Sequence, residues 1–290
     1  MAKVSVVIPV YNGEKYIKEA IDSVLNQTYT NIEVLIVNDA STDKTEEVIF
    51  DNFKNSIDEG KIIYFKNKAN KERVFSRNFG IKNSSGKYIY FLDYDDKWDK
   101  THIEKTLPYF DKFEILYTFP RSFINQNSNL IRKSKKKIYD LEKLIFSGNI
   151  GYPSASAFKR NTFLGYKQEF LMREDWEIFL RSFLEGKKIA ILDVDTVFIR
   201  EHSDRTSRNY SFYEATLKVY QSYKDEIPKK HLPYIELHVS DIAFKFGDFK
   251  TGYKMLISAI SKNPKVLLDK RNLLNFLKRS IRIDRFILNK

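Results

Sequence analysis

The sequence predicts an α/β protein: a mixed, mostly parallel sheet flanked by helices, with an α-helical appendage at the C-terminal end. Three observations carry this reading. Near-continuous apolar runs alternate with helix-period patterns over the first hundred residues, and strand-like runs recur as far as about residue 200. Beyond about residue 210 the pattern is amphipathic helix with few strand signals. The expected division is an α/β domain over 1–208 and a helical region over 209–290.

Residues 4–10 (VSVVIPV) and 32–37 (IEVLIV) read as strands buried on both faces, as parallel strands are. Between them Ile17, Ala20, Ile21, Val24 and Leu25 recur at helical spacing and define one apolar face. A second helix is expected after Asp43, with further strands at 62–65 and 88–92. The resulting β-α-β-α-β order predicts a parallel sheet with helices on both faces. Residues 100–150 are less regular, with one strand expected at 115–119 and a polar loop or hairpin over FINQNSNLIRKSKKK. Trp176, Phe179, Leu180, Phe183 and Leu184 then trace a helix that Gly186 stops, and strands are expected at 189–192 and 196–199. Residues 240–264 read as helix, Gly-Asp turn, helix and a stopping Pro264.

Composition narrows the chemistry. The chain has no cysteine, which excludes disulfides, zinc-thiolate sites and thiol catalysis. The N-terminal apolar run turns polar by residue 12, too early for a signal peptide, and no run approaches the roughly 18 apolar residues of a membrane span. A cytoplasmic protein is expected. The net charge of +12 is concentrated in RKSKKK (132–137) and in the tail from Lys262, which carries nine Lys/Arg against two Asp. Such patches suit a solvated surface or an anionic membrane; nucleic acid is not the expected partner.

In an open α/β sheet, ligands bind at the carboxyl ends of the strands. That rule selects Val10-Tyr11-Asn12-Gly13, Asn38-Asp39-Ala40-Ser41 and Asp93-Tyr94-Asp95-Asp96 as the lining of one crevice. Asp93 and Asp95 form an Asp-x-Asp element whose hard oxygens suit Mg²⁺ or Mn²⁺. The same acids also suit a helix start. Asp39 either accepts an N–H from a base such as uracil or caps the next helix. Glu174 and Asp175 open a helix, which their charge favours, and either is also placed to act as a general base. His202 is a metal ligand or a surface histidine, and Arg77 contacts phosphate or carboxylates.

In order, the stretches VSVVIPVYNGEKYI (4–17), VNDASTDKT (37–45), SRNFGI (76–81), YFLDYDD (90–96), REDWEIFLR (173–181) and IREHSDRTS (199–207) resemble the family 2 inverting glycosyltransferases. The resemblance implies the GT-A, Rossmann-like fold. It places Pro9, Tyr11 and Glu14 in the nucleotide pocket and Asp39 at the uracil ring. It gives Asp93 to the ribose or metal, Asp95 to the metal, His202 to the metal or diphosphate, and Asp175 to the role of catalytic base beside Glu174. Asn38 stands where the family often has Asp, and Phe75-Ser76 where small residues are usual.

The function so implied is metal-dependent transfer of a sugar from a UDP-sugar to a hydroxyl of a glycan or lipid-linked acceptor, in synthesis of surface polysaccharide. The cofactor implied is Mn²⁺ or Mg²⁺. The tail residues Leu273, Leu274, Leu277, Ile281 and Leu288, interspersed with Lys/Arg, suggest a peripheral membrane contact. Rival readings are a glycoside hydrolase, a nucleotidyltransferase and a non-catalytic nucleotide-sugar or glycan-binding module. The single glycine of YNGEKY argues against the nucleotidyltransferase, whose phosphate loops are Gly- and Lys/Arg-rich.

Overall fold

The computed structural model describes residues 1–135, 140–201 and 209–268. Its first half runs β1 (Val4–Val10), α1 (Ile17–Leu25), β2 (Ile32–Asn38), α2 (Thr45–Asp58), β3 (Ile62–Lys66), α3 (Glu72–Lys82) and β4 (Tyr88–Phe91). There follow β5 (Lys97–Trp98), α4 (His102–Thr106), β6 (Ile115–Thr118), β7 (Ser122–Ile124), β8 (Leu130–Lys133), α5 (Leu141–Phe146) and β9 (Ser156–Lys159). The last group is α6 (Glu174–Leu184), β10 (Ile189–Leu192), β11 (Val197–Arg200), α7 (Tyr210–Tyr223), α8 (Leu232–Lys245) and α9 (Phe249–Lys262).

Among the described residues the main sheet is ordered β10-β6-β9-β4-β1-β2-β3. Every pairing is parallel except those of β9, which runs antiparallel between β4 and β6. β1 is buried along its whole length, as an apolar run flanked by two parallel neighbours must be. Ile17, Ala20, Ile21 and Val24 of α1 are buried, the face set by their spacing. Each of the larger three contributes roughly 1.5–3 kcal/mol by leaving water.

The polar stretch at 122–133 is a hairpin, with β7 and β8 antiparallel in a smaller sheet ordered β5-β11-β7-β8. Its basic residues do not form a free patch. Arg132 stacks on the Phe123 ring and pairs with Glu201 at 2.6 Å, while Lys133 pairs with Asp195 at 2.7 Å.

The helix–Gly-Asp–helix reading is realised by α8 and α9. Gly247 takes a φ of +84°, where a side chain would be strained, and the Asp248 carboxylate caps α9 by accepting from the Thr251 N–H. Val219, Tyr220 and Tyr223 of α7 and Ile235 and Val239 of α8 belong to the same buried cluster as the main sheet. α9 packs instead on α8 through Phe244, Leu256 and Ala259. The expected boundary at 208 and 209 meets a segment outside the described residues, as do His202 and the basic tail from 269 onward. No helix among the described residues is long and apolar enough to cross a membrane.

Candidate active site

The order of the strands reverses direction about β1, with β2 on one side and β4 on the other. At such a switch point the loops after neighbouring strands leave in opposite directions and open a crevice at the carboxyl edge. Here that crevice is a cavity of about 620 Å³. Pro9 and Tyr11 from β1, Asp39 from β2, Asp93 and Asp95 from β4, and Glu174 and Asp175 from α6 all line it.

Hydrogen bonds stitch the loops after β1 and β2 together. Asn12 Oδ1 accepts from the Thr42 N–H at 2.8 Å, and the Gly13 N–H donates to Thr45 Oγ1 at 2.8 Å. Asn38 explains its own departure from an acidic pair: its amide donates to the Tyr64 hydroxyl at 2.8 Å and accepts from the Ser41 N–H at 2.9 Å. A carboxylate could not make the first of these donations. Asp39 is buried, and its Oδ1 accepts from Asn67 Nδ2 at 2.6 Å and the Lys71 N–H at 3.0 Å. Asn12, Ala40, Glu72 and Met172 hold left-handed backbone conformations beside or on the cavity lining, strain of the kind found at ligand sites.

Glu14 requires a correction. It is not among the residues that line the cavity. Its carboxylate accepts from the Lys44 N–H at 2.8 Å, at the start of α2, where a negative charge meets the unpaired N–H groups of the helix. Arg77, which also lines the cavity, takes the carboxylate alternative. It is buried, donates to Asp93 Oδ1 at 2.8 Å and to Glu174 Oε1 at 2.9 Å, and so joins β4 to α6. Glu174 is thereby engaged in an ion pair, while Asp175 turns to the cavity.

Asp175 is half-buried and accepts from the Trp176 N–H at 2.8 Å. Burial first, and then the adjacent Glu174 charge, push its carboxyl up to about 7, against the opposing pull of Arg173, Arg77 and the Trp176 N–H. A carboxylate so poised suits proton abstraction near neutral pH. Gly151 makes room for it. A Cβ there would stand 3.0 Å from Asp175 Cγ and 3.1 Å from Oδ2, and the φ of +132° disfavours any side chain. Gly151→Ala is therefore expected to displace the carboxylate and lower turnover by roughly 10- to 100-fold, since small misplacements of a reacting group are costly. Steady-state kinetics beside a nucleotide titration checks it: unchanged turnover would show that Asp175 has slack, and affinity falling in step would implicate the whole pocket.

Two supports of the Asp93–Asp95 turn carry no motif that gives them this role. The Ser154 hydroxyl, fully buried, lies 3.0 Å from the Asp93 N–H and donates to Asp96 Oδ2 at 2.6 Å. Arg200 gives its backbone N–H to Asp96 Oδ1 at 2.8 Å and its Nε to the Asp95 carbonyl at 2.6 Å. Asp96 is thus a buried brace: it borders the cavity, but both its carboxylate oxygens accept hydrogen bonds from the protein. Burial, reinforced by the charges of Asp95 and Asp93, raises its pKa well above the usual range. Arg200 adjoins the His202 stretch, the one local signal that pointed to it. Asn149 also lines the cavity.

The donor set fits a hard divalent cation. Mutually repelling carboxylates crowd one turn, and Mg²⁺ or Mn²⁺ sites commonly combine one or two protein carboxylates with phosphate oxygens. Among the described residues no cluster of three or more acidic or histidine side chains forms a complete metal cage. Asp93 and Asp95 are the protein ligands this arrangement offers.

A mixed α/β sheet with acidic groups at the carboxyl ends of β2 and β4 defines the GT-A class of fold. The model of the family described as "Glycosyl transferase family 2" matches residues 5–173, and the chain belongs to that family. A glycosyltransferase of Rickettsia bellii is 38% identical over 149 residues, 51% of this chain and 20% of its own. An Escherichia coli protein named UDP-Glc:alpha-D-GlcNAc-diphosphoundecaprenol beta-1,3-glucosyltransferase is 28% identical over 211 residues, 72% of this chain and 81% of its own. The crystal structure of S. aureus TarS 1-349 in complex with UDP-GlcNAc superposes with a TM-score of 0.66 at 18% identity, covering 91% of this chain and 82% of that one. The chain spans less than half the length of the first Rickettsia relatives it matches.

Proposed function

We propose that the protein transfers a sugar, with inversion, from a UDP-sugar to a hydroxyl of a glycan or lipid-linked acceptor, assisted by Mn²⁺ or Mg²⁺. The observation that carries this is the meeting, in one cavity, of Asp39, Asp93 and Asp95 with an Asp175 poised near neutrality. The E. coli relative, whose name gives a UDP-sugar and a diphosphate-linked acceptor, supports the choice of donor and acceptor class.

Asp39 meets the base, with Pro9 and Tyr11 beside it, and Asp93 and Asp95 lie toward the ribose and diphosphate. Asp175 takes the proton from the acceptor hydroxyl as its oxygen attacks the anomeric carbon. The bond to the diphosphate breaks on the opposite face, its electron pair leaves with the phosphate oxygen, and the configuration inverts. One carboxylate suffices, because the leaving group needs no proton. Asp93 and Asp95 would hold a divalent cation, which when bound would supply charge stabilisation for the departing diphosphate. His202, outside the described residues, keeps the expected role of completing that site. An acceptor of that class fits a cytoplasmic enzyme working at the inner face of the cell membrane.

Asp95→Ala is expected to weaken UDP binding in the presence of Mn²⁺ by 10-fold or more and to leave metal-free binding nearly unchanged. Calorimetry with and without Mn²⁺ reads this, and equal Mn²⁺ enhancement in both proteins would sink the metal assignment. A screen of nucleotide sugars by thermal shift, followed by a transfer or hydrolysis assay, tests the reaction itself. No stabilisation by any UDP-sugar would reject the donor.

A further inference from the structure

Arg173 precedes α6 and stands two residues from Asp175. It is buried, yet among the described residues no carboxylate lies within ion-pair distance of it, and its Nε has no hydrogen-bond partner. What holds it comes largely from the C-terminal helices. Its guanidinium lies 4.6 Å from the ring centroid of Phe212, on α7, and 4.3 Å from that of Trp176. Its Nη2 lies 3.0 Å from Nε2 of His238, on α8.

The chemistry of that last contact is constrained. A guanidinium only donates, so His238 Nε2 must accept, which assigns the imidazole proton to Nδ1 and makes the ring neutral. The ring is also fixed in place. It meets Trp176 edge-on with centroids 5.2 Å apart, and the loop between α5 and β9 closes over it at Gly148, where a Cβ would fall 2.2 Å from Nε2. Gly148 and Phe212 line the same cavity as Asp175.

We propose that His238 is a positioning residue for sugar transfer: by accepting a hydrogen bond from Arg173, it holds that cation where it sets the charge and placement of the Asp175 base. This rests on the reading of Asp175 as base. It makes α7 and α8 part of the catalytic unit and not a mere appendage. The groups facing Asp175 are Arg173 and Glu174, which precede it at the start of α6, Arg77 from α3, Tyr117 from β6 and Tyr166 from the loop before α6. Of the two cations in that set, Arg77 is committed to Asp93 and Glu174, whereas the Arg173 guanidinium depends on His238 for its only side-chain hydrogen bond among the described residues.

The test compares His238→Leu, which cannot accept a hydrogen bond, with His238→Gln, whose amide oxygen can. The full chain is assayed for turnover of UDP-glucose with Mn²⁺ across pH 5–9. The Leu variant should lose about 10-fold in kcat with donor KM within about twofold, and the acid limb of its profile should move to higher pH. The Gln variant should recover most of both. Arg173→Gln, which deletes the cation and leaves His238 intact, should move the acid limb in the same direction even if His238→Leu proves unstable. An unshifted acid limb in Arg173→Gln, or a Gln variant as impaired as the Leu variant, overturns the proposal. Asp175→Asn in the same assay separates the two readings. Retained turnover there defeats the base assignment, whereas lost turnover beside unshifted His238 and Arg173 profiles defeats this inference alone.

Discussion

Asp175→Asn should abolish transfer, lowering kcat by at least about 10³-fold while nucleotide affinity stays within a few-fold of wild type. The amide keeps the shape of the side chain and can still accept from the Trp176 N–H, but it cannot take a proton. Wild-type activity should rise as pH increases through about 7, because only the ionised carboxylate is a base. Stability should run the other way. The folded pKa is raised above the unfolded one, so the unfolded chain releases this proton first and stability is lost as pH climbs from about 4 towards 7. Replacing the acid removes that cost. The Asn variant should therefore be close to wild type in stability at pH 4 and more stable at pH 8, by an amount on the order of 1 kcal/mol or more. Denaturant melts at the two pH values, paired with the activity assay, make the case. A variant that is inactive but also destabilised at pH 8 would mean that Asp175 holds the structure together and that its loss says nothing about a base.

The sequence announced the parts of the fold whose burial is one-sided or complete. β1 and β2 are buried on both faces and read as near-continuous apolar runs, and α1 shows its buried stripe without interruption. The carboxyl-edge rule, applied to β2 and to the equally apolar β4, led directly to Asp39, Asp93 and Asp95. α3 was harder to see because the positions it buries include Ser76, Arg77 and Gly80, so its inner face carries no apolar stripe. That face is polar because it serves the site. β9 is four residues long and lies antiparallel between strands distant in sequence, which no local pattern encodes. Glu14 illustrates a different limit, since a carboxylate that caps a helix and one that meets a ligand look alike in a loop. Ser154 and Arg200 reach the Asp93–Asp95 turn from 58 to 105 positions away along the chain, and only the fold brings them there.

Arg77→Met should be the most destabilising of the substitutions considered, and it should also silence the enzyme. The wild-type guanidinium is 2% exposed and answers two carboxylates, of which Glu174 is 4% exposed and Asp93 28%. Removing one member of a buried ion pair leaves the other charge without compensation, at a cost of roughly 3–5 kcal/mol. Arg77→Lys should recover only part of this, because a single ammonium cannot present two separated donors to two acceptors as the guanidinium fork does. Stability and activity can then be separated by a second change. In Arg77→Met/Glu174→Gln the most deeply buried orphan charge is gone, so most of the lost stability should return. Asp93 remains unrestrained in that double variant, and UDP affinity with Mn²⁺ should stay low. Urea unfolding and calorimetry on the set of variants distinguish the alternatives. If Arg77→Met unfolds at the wild-type midpoint, the buried bridge contributes nothing. If the double variant regains full nucleotide affinity, Arg77 acts only by neutralising Glu174, and Asp93 finds its position without help from α3.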